Sequence, residues 1–205
     1  MTEPVPPLAL GAVLLAGGAS RRFGAENKLL AEVDGVPIVT RVARAVLDGG
    51  ADTLIVVTGA EHDAYAVALA GMPALCVANP RWADGMGGSI AVGVQALPVH
   101  CAGAFIVPAD MASLSADVLR RLAEAFARDG GERVVVPVTP AGAQRNPVLW
   151  PRRLFPSLAA LSGPQGGKSL LDTPGTARLD VAFADSSVFA DIDTPGDYER
   201  LIAGA

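Results

Sequence analysis

The sequence predicts an α/β fold with a mainly parallel sheet covered by helices on both faces. Two observations carry this. Short runs such as TLIVVT at 53–58 and VVVPV at 134–138 are apolar throughout rather than alternating, as strands buried on both faces are. These runs take turns along the chain with segments of helical period, the pattern of parallel α/β domains. A chain of 205 residues that is 51% hydrophobic also has the apolar surface for a sizeable core.

The elements follow in order. Residues 10–15 form a first strand. Residues 37–47 read as a helix with Val39, Val42, Ala43, Val46 and Leu47 on one face, stopped by Gly49 and Gly50. Strand 53–58 precedes a helix at 61–70 and a short strand at 74–78. A long loop at 79–88 leads to a helix at 89–97, with Ser89 at its start. Strand 104–107 ends at Pro108, Ala109 and Asp110. Residues 115–128 form a helix with Leu119, Leu122, Ala123 and Phe126 on one face. Strand 133–138 follows. Beyond about residue 140 the pattern loosens. Residues 146–150 read as an extra strand, 151–161 and 167–171 as short helices, 179–183 as a strand and 197–202 as a closing helix. No internal repeat and no linker divides the chain, so residues 1–205 read as a single domain.

Composition narrows the function. Net charge is −5 and the pI about 5.0, which argues against a general nucleic-acid binder. Mean hydropathy is +0.39, yet no apolar run reaches the ~18 residues of a spanning helix. The uncharged stretch 4–19 is broken by prolines and glycines and lacks a preceding cation, so it is a poor signal peptide. The expectation is a cytoplasmic protein with no membrane partner. Cys76 and Cys101 have no metal-like spacing and read as buried free thiols of a reducing compartment. His62 and His100 have no ligand pattern and read as structural or surface residues.

The most informative stretch is VLLAGGASRRFGAENK at 13–28. An apolar strand end, closing at Leu15, runs into Ala16, Gly17, Gly18, Ala19 and Ser20, which carry almost no side chain. A ligand can approach such a backbone closely. Arg21, Arg22 and Lys28 then bring positive charge. Backbone N–H groups with nearby cations suit a triphosphate. The dinucleotide fingerprint is excluded because Gly17 and Gly18 are adjacent. The P-loop pattern at Gly167, Lys168 and Ser169 is excluded because Ser162 holds its first glycine position.

Three more segments can carry chemistry. In an open parallel sheet ligands bind beyond the carboxyl ends of the strands. Asp110 lies at such an end, as a turn residue or as a Mg²⁺ ligand. In ADIDTPGD, Asp191 and Asp193 alternate about Ile192 and cannot face the same side of an extended chain. Thr194 or Asp193 also reads as a helix cap before Pro195. In NPRWADGMGGS, the bare backbone of Gly85, Gly87 and Gly88 before Ser89 offers a surface on which a flat base could lie, or a surface loop anchored by Trp82.

These blocks resemble the molybdenum cofactor nucleotidyltransferase family. Leu15, Ala16, Gly17 and Gly18, then Arg22, Phe23 and Gly24, then Lys28 match its glycine-turn signature. NPRWADGMGGSIAVGV resembles its NPxxxxGMxxSLxxGL block, NPVLWPRRLFPSLAALSGPQGGKSLL its HPVLFPxxLFPxLxxLxGDxGARxLL block, and DIDTPGDYERL its DIDTPEDYxxL ending. Four ordered blocks cover residues 10 to 203. The resemblance implies a three-layer α/β/α Rossmann-like fold with a mixed sheet. It implies transfer of CMP from CTP to the phosphate of molybdopterin with release of pyrophosphate, GTP being the alternative donor. The LAGG turn looks like GTP-using members, and the later blocks like CTP-using ones.

By position, residues 15–20, Arg22, Lys28, Gly85, Gly87, Gly88 and Ser89 would bind the nucleotide. Arg22, Lys28 and Asp110 would be catalytic, and Asp110 and Asp193 would hold Mg²⁺. Asn146 and Lys168, standing where His and Arg are usual, would meet the acceptor. A molybdoenzyme or its maturation chaperone would be the protein partner. The same chemistry on a sugar phosphate or small alcohol phosphate is one alternative. The Ala-Asp-Met-Ala turn around Asp110, in place of Gly-Asp-Met-Pro, keeps open a second, a non-catalytic nucleotide or cofactor-binding chaperone.

Overall fold

The computed structural model describes residues 8–18 and 27–203. Among the described residues the chain runs β1 (Leu10–Ala16), β2 (Glu32–Val33), β3 (Val36–Pro37), α1 (Ile38–Asp48), β4 (Thr53–Thr58), α2 (His62–Ala68), β5 (Ala74–Ala78), α3 (Met86–Gln95), β6 (Gly103–Pro108), α4 (Ala116–Arg128), β7 (Val134–Val138), β8 (Val148–Pro151), α5 (Phe155–Ala159), α6 (Lys168–Leu171), β9 (Arg178–Ala182) and α7 (Pro195–Ala203). Seven of these strands form one sheet in the order β5-β4-β1-β6-β8-β7-β9. Strand β8 runs antiparallel to both neighbours, and the other pairings are parallel. The sheet is therefore mixed and mainly parallel, as expected.

The continuous apolar runs have a direct cause. In β1, Ala12, Leu14 and Ala16 enter one core, while Val13 enters a second core on the opposite face. In β4, Leu54 and Val56 face the first core, and Ile55 and Val57 the second. Successive side chains point to opposite faces, so a sheet covered on both sides needs apolar residues at every position. Helices α1 and α4 supply Val39, Val42, Leu119 and Phe126 to the first core. Helices α3, α5 and α6 supply Ile90, Val94, Leu158 and Leu171 to the second. The result is the expected three-layer arrangement.

Several boundaries differ from expectation. The β2–β3 ribbon was not expected. Its turn is Asp34 and Gly35, both at positive φ (52° and 72°), which is the two-residue hairpin signature. Helix α3 begins at Met86, so Ser89 lies inside its first turn rather than opening it. Residues 151–161 divide into a single 3₁₀ turn at Arg152–Leu154 and the short α5. Cys101 is buried and Cys76, on edge strand β5, only half-buried; both are free thiols. Burial pushes both above the ordinary thiol range. His62 Nδ1 lies 2.7 Å from Thr58 Oγ1, a structural role. Among the described residues no helix is long and apolar enough to cross a membrane.

The topology fixes where a ligand can sit. From β1 the chain builds outward through β4 and β5, then returns to place β6 on the other side of β1. The direction of winding reverses beside β1, so a crevice opens at the carboxyl ends of β1 and β6. Leu15 pairs with Pro108 and Ala16 with Thr58, which brings Gly17, Gly59 and Ala109 side by side at that edge.

Trp150 of β8 is the largest fully buried side chain. A Cβ on Gly167 would lie 2.7 Å from its Cζ2, so the indole also seats the loop before α6. Trp150→Ala should cost about 3–5 kcal/mol. At ~2–4 °C per kcal/mol for a chain of this size, the melting temperature should fall by roughly 6–20 °C in a thermal scan.

Candidate active site

Three side chains from distant parts of the sequence meet at the crevice. Lys28 Nζ donates to Asp110 Oδ2 at 2.7 Å and to the Ile192 carbonyl at 2.6 Å, and it lies 3.5 Å from Asp193 Oδ1. Each arm is held in place. Asp110 follows β6, and its carbonyl accepts from Ile192 N at 3.1 Å, tying the late segment to the strand end. Beside Lys28, Asn27 Nδ2 donates to Glu61 Oε2 and to Tyr65 Oη, both at 2.8 Å. Burial pushes the Tyr65 phenol up to about 12, so it stays neutral as an acceptor.

Asp193 is presented by a helix cap. Asp197 Oδ2 accepts from Asp193 N, Thr194 N and Thr194 Oγ1, and Thr194 Oγ1 accepts in return from Asp197 N at 3.2 Å. This is a Thr-x-x-Asp capping box, and the Thr194 hydroxyl and N–H hold the Asp197 carboxyl below its usual range. Thr194 is thus the cap, which leaves the Asp193 carboxylate to Lys28.

The trio lines a cavity of about 540 Å³, together with Gly17, Gly18, Trp82 and Ser89. Leu15, Met86 and Pro108 are shared with a second hollow of about 250 Å³, between Ile90, Val148 and Trp150. Gln144, Asn146 and Lys168 are shared with a third, of about 350 Å³, that also holds Arg145 and Asp191. The three form one trench. Asp191 and Asp193 do point to different compartments, as their alternation requires. The Asp191 carboxyl is raised to about 6, first by partial desolvation and then by Asp110 and Asp193.

Of the residues expected to bind the nucleotide, Leu15, Gly17, Gly18, Lys28, Gly85 and Ser89 line the first cavity, with Asp110 and Asp193. Ala16 is buried in the core beneath. Ala19, Ser20 and Arg22 lie outside the described residues. Asn146 and Lys168 line the second and third hollows. Gly87 and Gly88 are off the cavity wall. A Cβ at Gly87 would meet the Ser162 and Gln165 carbonyls at 2.8 and 2.9 Å, and one at Gly85 would overlap Gly163. The missing side chains make room for the 162–165 backbone.

Sequence context presents Trp82 as a loop anchor. It lines the cavity and packs on Gly59, where a Cβ would lie 2.9 Å from its Cγ. Gly59, directly after β4, was the available signal.

Two carboxylates within reach of one cation suit a hard divalent ion that completes its shell with substrate phosphates and water. Asp110 Oδ1 is buried and has no hydrogen-bond partner among the described residues. Leaving such an atom unmet costs about 1–3 kcal/mol, and a cation would satisfy it. The donor set therefore fits a divalent ion held by Asp110 and Asp193. A model of the MobA-like NTP transferase domain matches residues 12–180. The chain belongs to the MobA-like NTP transferase family.

Relatives agree with that membership, and solved structures share the fold. A molybdenum cofactor guanylyltransferase of Cupriavidus metallidurans is 30% identical over 191 residues, 89% of each chain. The purine catabolism protein PucB of Bacillus subtilis is 31% identical over 212 residues, covering 95% of this chain and 96% of that one. Rv0371c from Mycobacterium tuberculosis H37Rv has the same fold, with TM-score 0.83 at 23% identity over 97% of this chain and 100% of that one. A nucleotidyl transferase from Methanothermobacter thermautotroptrophicus gives 0.79 at 24%, over 96% and 97%. In this MobA-like domain the bare turn, the cation and the carboxylates sit at the strand ends of a nucleotidyltransferase fold.

Because Gly87 faces backbone, Gly87→Ala should force the 162–165 loop outward. Overpacking of this kind costs about 1–3 kcal/mol, which exceeds the ~1 kcal/mol a helical Gly→Ala change returns. A lower melting temperature is expected; one at or above wild type would show that the loop yields.

Proposed function

We propose that the protein is a divalent-metal-dependent nucleotidyltransferase. It moves a nucleoside monophosphate from a nucleoside triphosphate, GTP in preference, to the phosphate of a molybdopterin-type acceptor, and it releases pyrophosphate. The observation that carries this reading is the convergence of Lys28, Asp110 and Asp193 beside the Gly17–Gly18 turn. The LAGG form of that turn supports GTP, as do the four relatives named molybdenum cofactor guanylyltransferase. CTP, favoured by the later sequence blocks, is the competing donor.

The chemistry needs positioning and charge more than covalent work. An acceptor phosphate oxygen attacks the α-phosphorus. One P–O bond forms, the α–β bridging P–O bond breaks, and its electron pair leaves with pyrophosphate. The acceptor oxygen is already ionised, so no proton has to be removed from it. Lys28 offsets phosphate charge, and the bare turn lets the triphosphate reach the backbone. A divalent ion on Asp110 and Asp193 would supply further charge to the phosphate oxygens; a solved structure of Rv0371c is a complex with manganese. Asn146 and Lys168, further along the trench, are the proposed acceptor contacts.

Melting scans with each of the four nucleoside triphosphates and Mg²⁺ test the donor. A ligand at about 100 times its Kd stabilises by about 2.7 kcal/mol, and GTP should give the largest rise. A larger rise with CTP would return the donor to cytidine, and no rise with any would refute the reading. Asp110→Asn keeps the shape but removes the charge. Pyrophosphate release with GTP and reduced molybdenum cofactor should fall about a hundredfold or more, with the melting temperature little changed. Chelation should abolish release in the wild type, and Mg²⁺ or Mn²⁺ restore it.

A further inference from the structure

Asn79 and Ser89 are two of the few buried polar side chains among the described residues, and they are bonded to each other. Asn79 Nδ2 donates to Ser89 Oγ at 3.0 Å. The direction of this bond is fixed by a third group. The Arg81 backbone N–H, which can only donate, meets Asn79 Oδ1 at 3.0 Å. The amide oxygen is therefore committed to Arg81, and the NH₂ end must face Ser89. Asn79 is itself anchored, since its N–H donates to the Thr58 carbonyl at 2.9 Å.

A serine hydroxyl has one proton and two lone pairs. Here a lone pair is taken by Asn79, and among the described residues the Ser89 hydroxyl donates to no acceptor. Helical serines often turn the proton back to the carbonyl four residues earlier, but no such bond to Gly85 exists. Ser89 is buried, yet it lines the first cavity beside Gly17. That wall of the cavity, Trp82, Ala83, Gly85, Met86 and Ser89, carries no charge. The charged groups, Lys28, Asp110 and Asp193, come from other segments. A triphosphate belongs with the cation, so the uncharged wall is left for the base.

We propose that Asn79 is a positioning residue that occupies one lone pair of the Ser89 hydroxyl and so keeps its proton free for an acceptor atom of the nucleobase. This rests on the nucleotide-binding reading above. Asn79 need not touch the ligand. It decides whether the Ser89 proton remains available to the ligand.

Asn79→Asp tests this with little change of shape. The carboxylate still accepts from the Arg81 N–H, so the loop anchor is kept. It also accepts from Ser89, so the hydroxyl reverses and a lone pair faces the base. Affinity is measured by calorimetry with Mg²⁺ and each of GTP and CTP, on wild type, Asn79→Asp, Ser89→Ala and the double variant. The loss of one buried hydrogen bond, with an unmatched acceptor left behind, predicts about tenfold or more weaker binding of the preferred nucleotide in Asn79→Asp. Ser89→Ala should also weaken it, and Asn79→Asp should add nothing once Ser89 is alanine. In steady state KM should rise while kcat stays within about twofold, a split that a merely structural role would not give.

Wild-type-like affinity in Asn79→Asp, or an equal loss with and without Ser89, would overturn the proposal while leaving the nucleotide reading intact. Failure of the wild type to bind any nucleoside triphosphate would overturn both. If aspartate at 79 prevents folding, Ser89→Ala alone decides: about tenfold weaker binding supports the donor role, and unchanged binding removes it.

Discussion

The constraint on which the rest depends is the burial of the sheet on both faces. Strands β1, β4 and β6 carry apolar residues at nearly every position, so helices must cover both sides and the connections must cross over. Crossover connections make the strands parallel, and parallel strands bring their carboxyl ends to one edge. Side chains are committed to the two cores along β1 as far as Ala16 and along β6 as far as Val107, and Ala109 and Met111 still anchor the turn around Asp110. At these strand ends the chain begins to present backbone and polar groups. The Gly17–Gly18 turn and Asp110 stand at the first positions where chemistry is possible. The antiparallel β8 extends this logic sideways: its amino end lies at the carboxyl end of β6, which places Asn146, just before it, at the same edge.

Much of this was legible in the sequence, for identifiable reasons. The two-sided strands could be read because full burial leaves no polar residue to break a run. Helices α1 and α4 could be read because one apolar stripe faces a core and the other face is charged. The late, loosely patterned part was less legible, since its helices are only one or two turns long and too short to show a period. The β2–β3 ribbon has a clear Asp-Gly signal, but strands of two residues have no alternation to support it.

The site divides in the same way. Lys28, Asp110 and Asp193 were picked out one by one from local context. That they meet follows only from the topology, which brings positions more than 80 residues apart in sequence within one ion-pair distance. Asp193 and Thr194 competed for one cap, and Asp197 decides between them by engaging Thr194. The glycines of the 85–88 segment illustrate the opposite failure. A missing side chain states that something comes close, but not what. At Gly85 and Gly87 it is the chain's own backbone.

That contact gives the two halves of the trench a shared wall. The start of α3 borders the first cavity, and the 162–167 loop borders the second, and with no side chain between them they rest directly against each other. Neither surface can be reshaped alone. A chimaera that takes the 79–89 block from one relative and leaves the 162–167 loop from another would join two faces that never fitted. The first and second cavities are therefore shaped together, and grafts between relatives should be cut outside both segments.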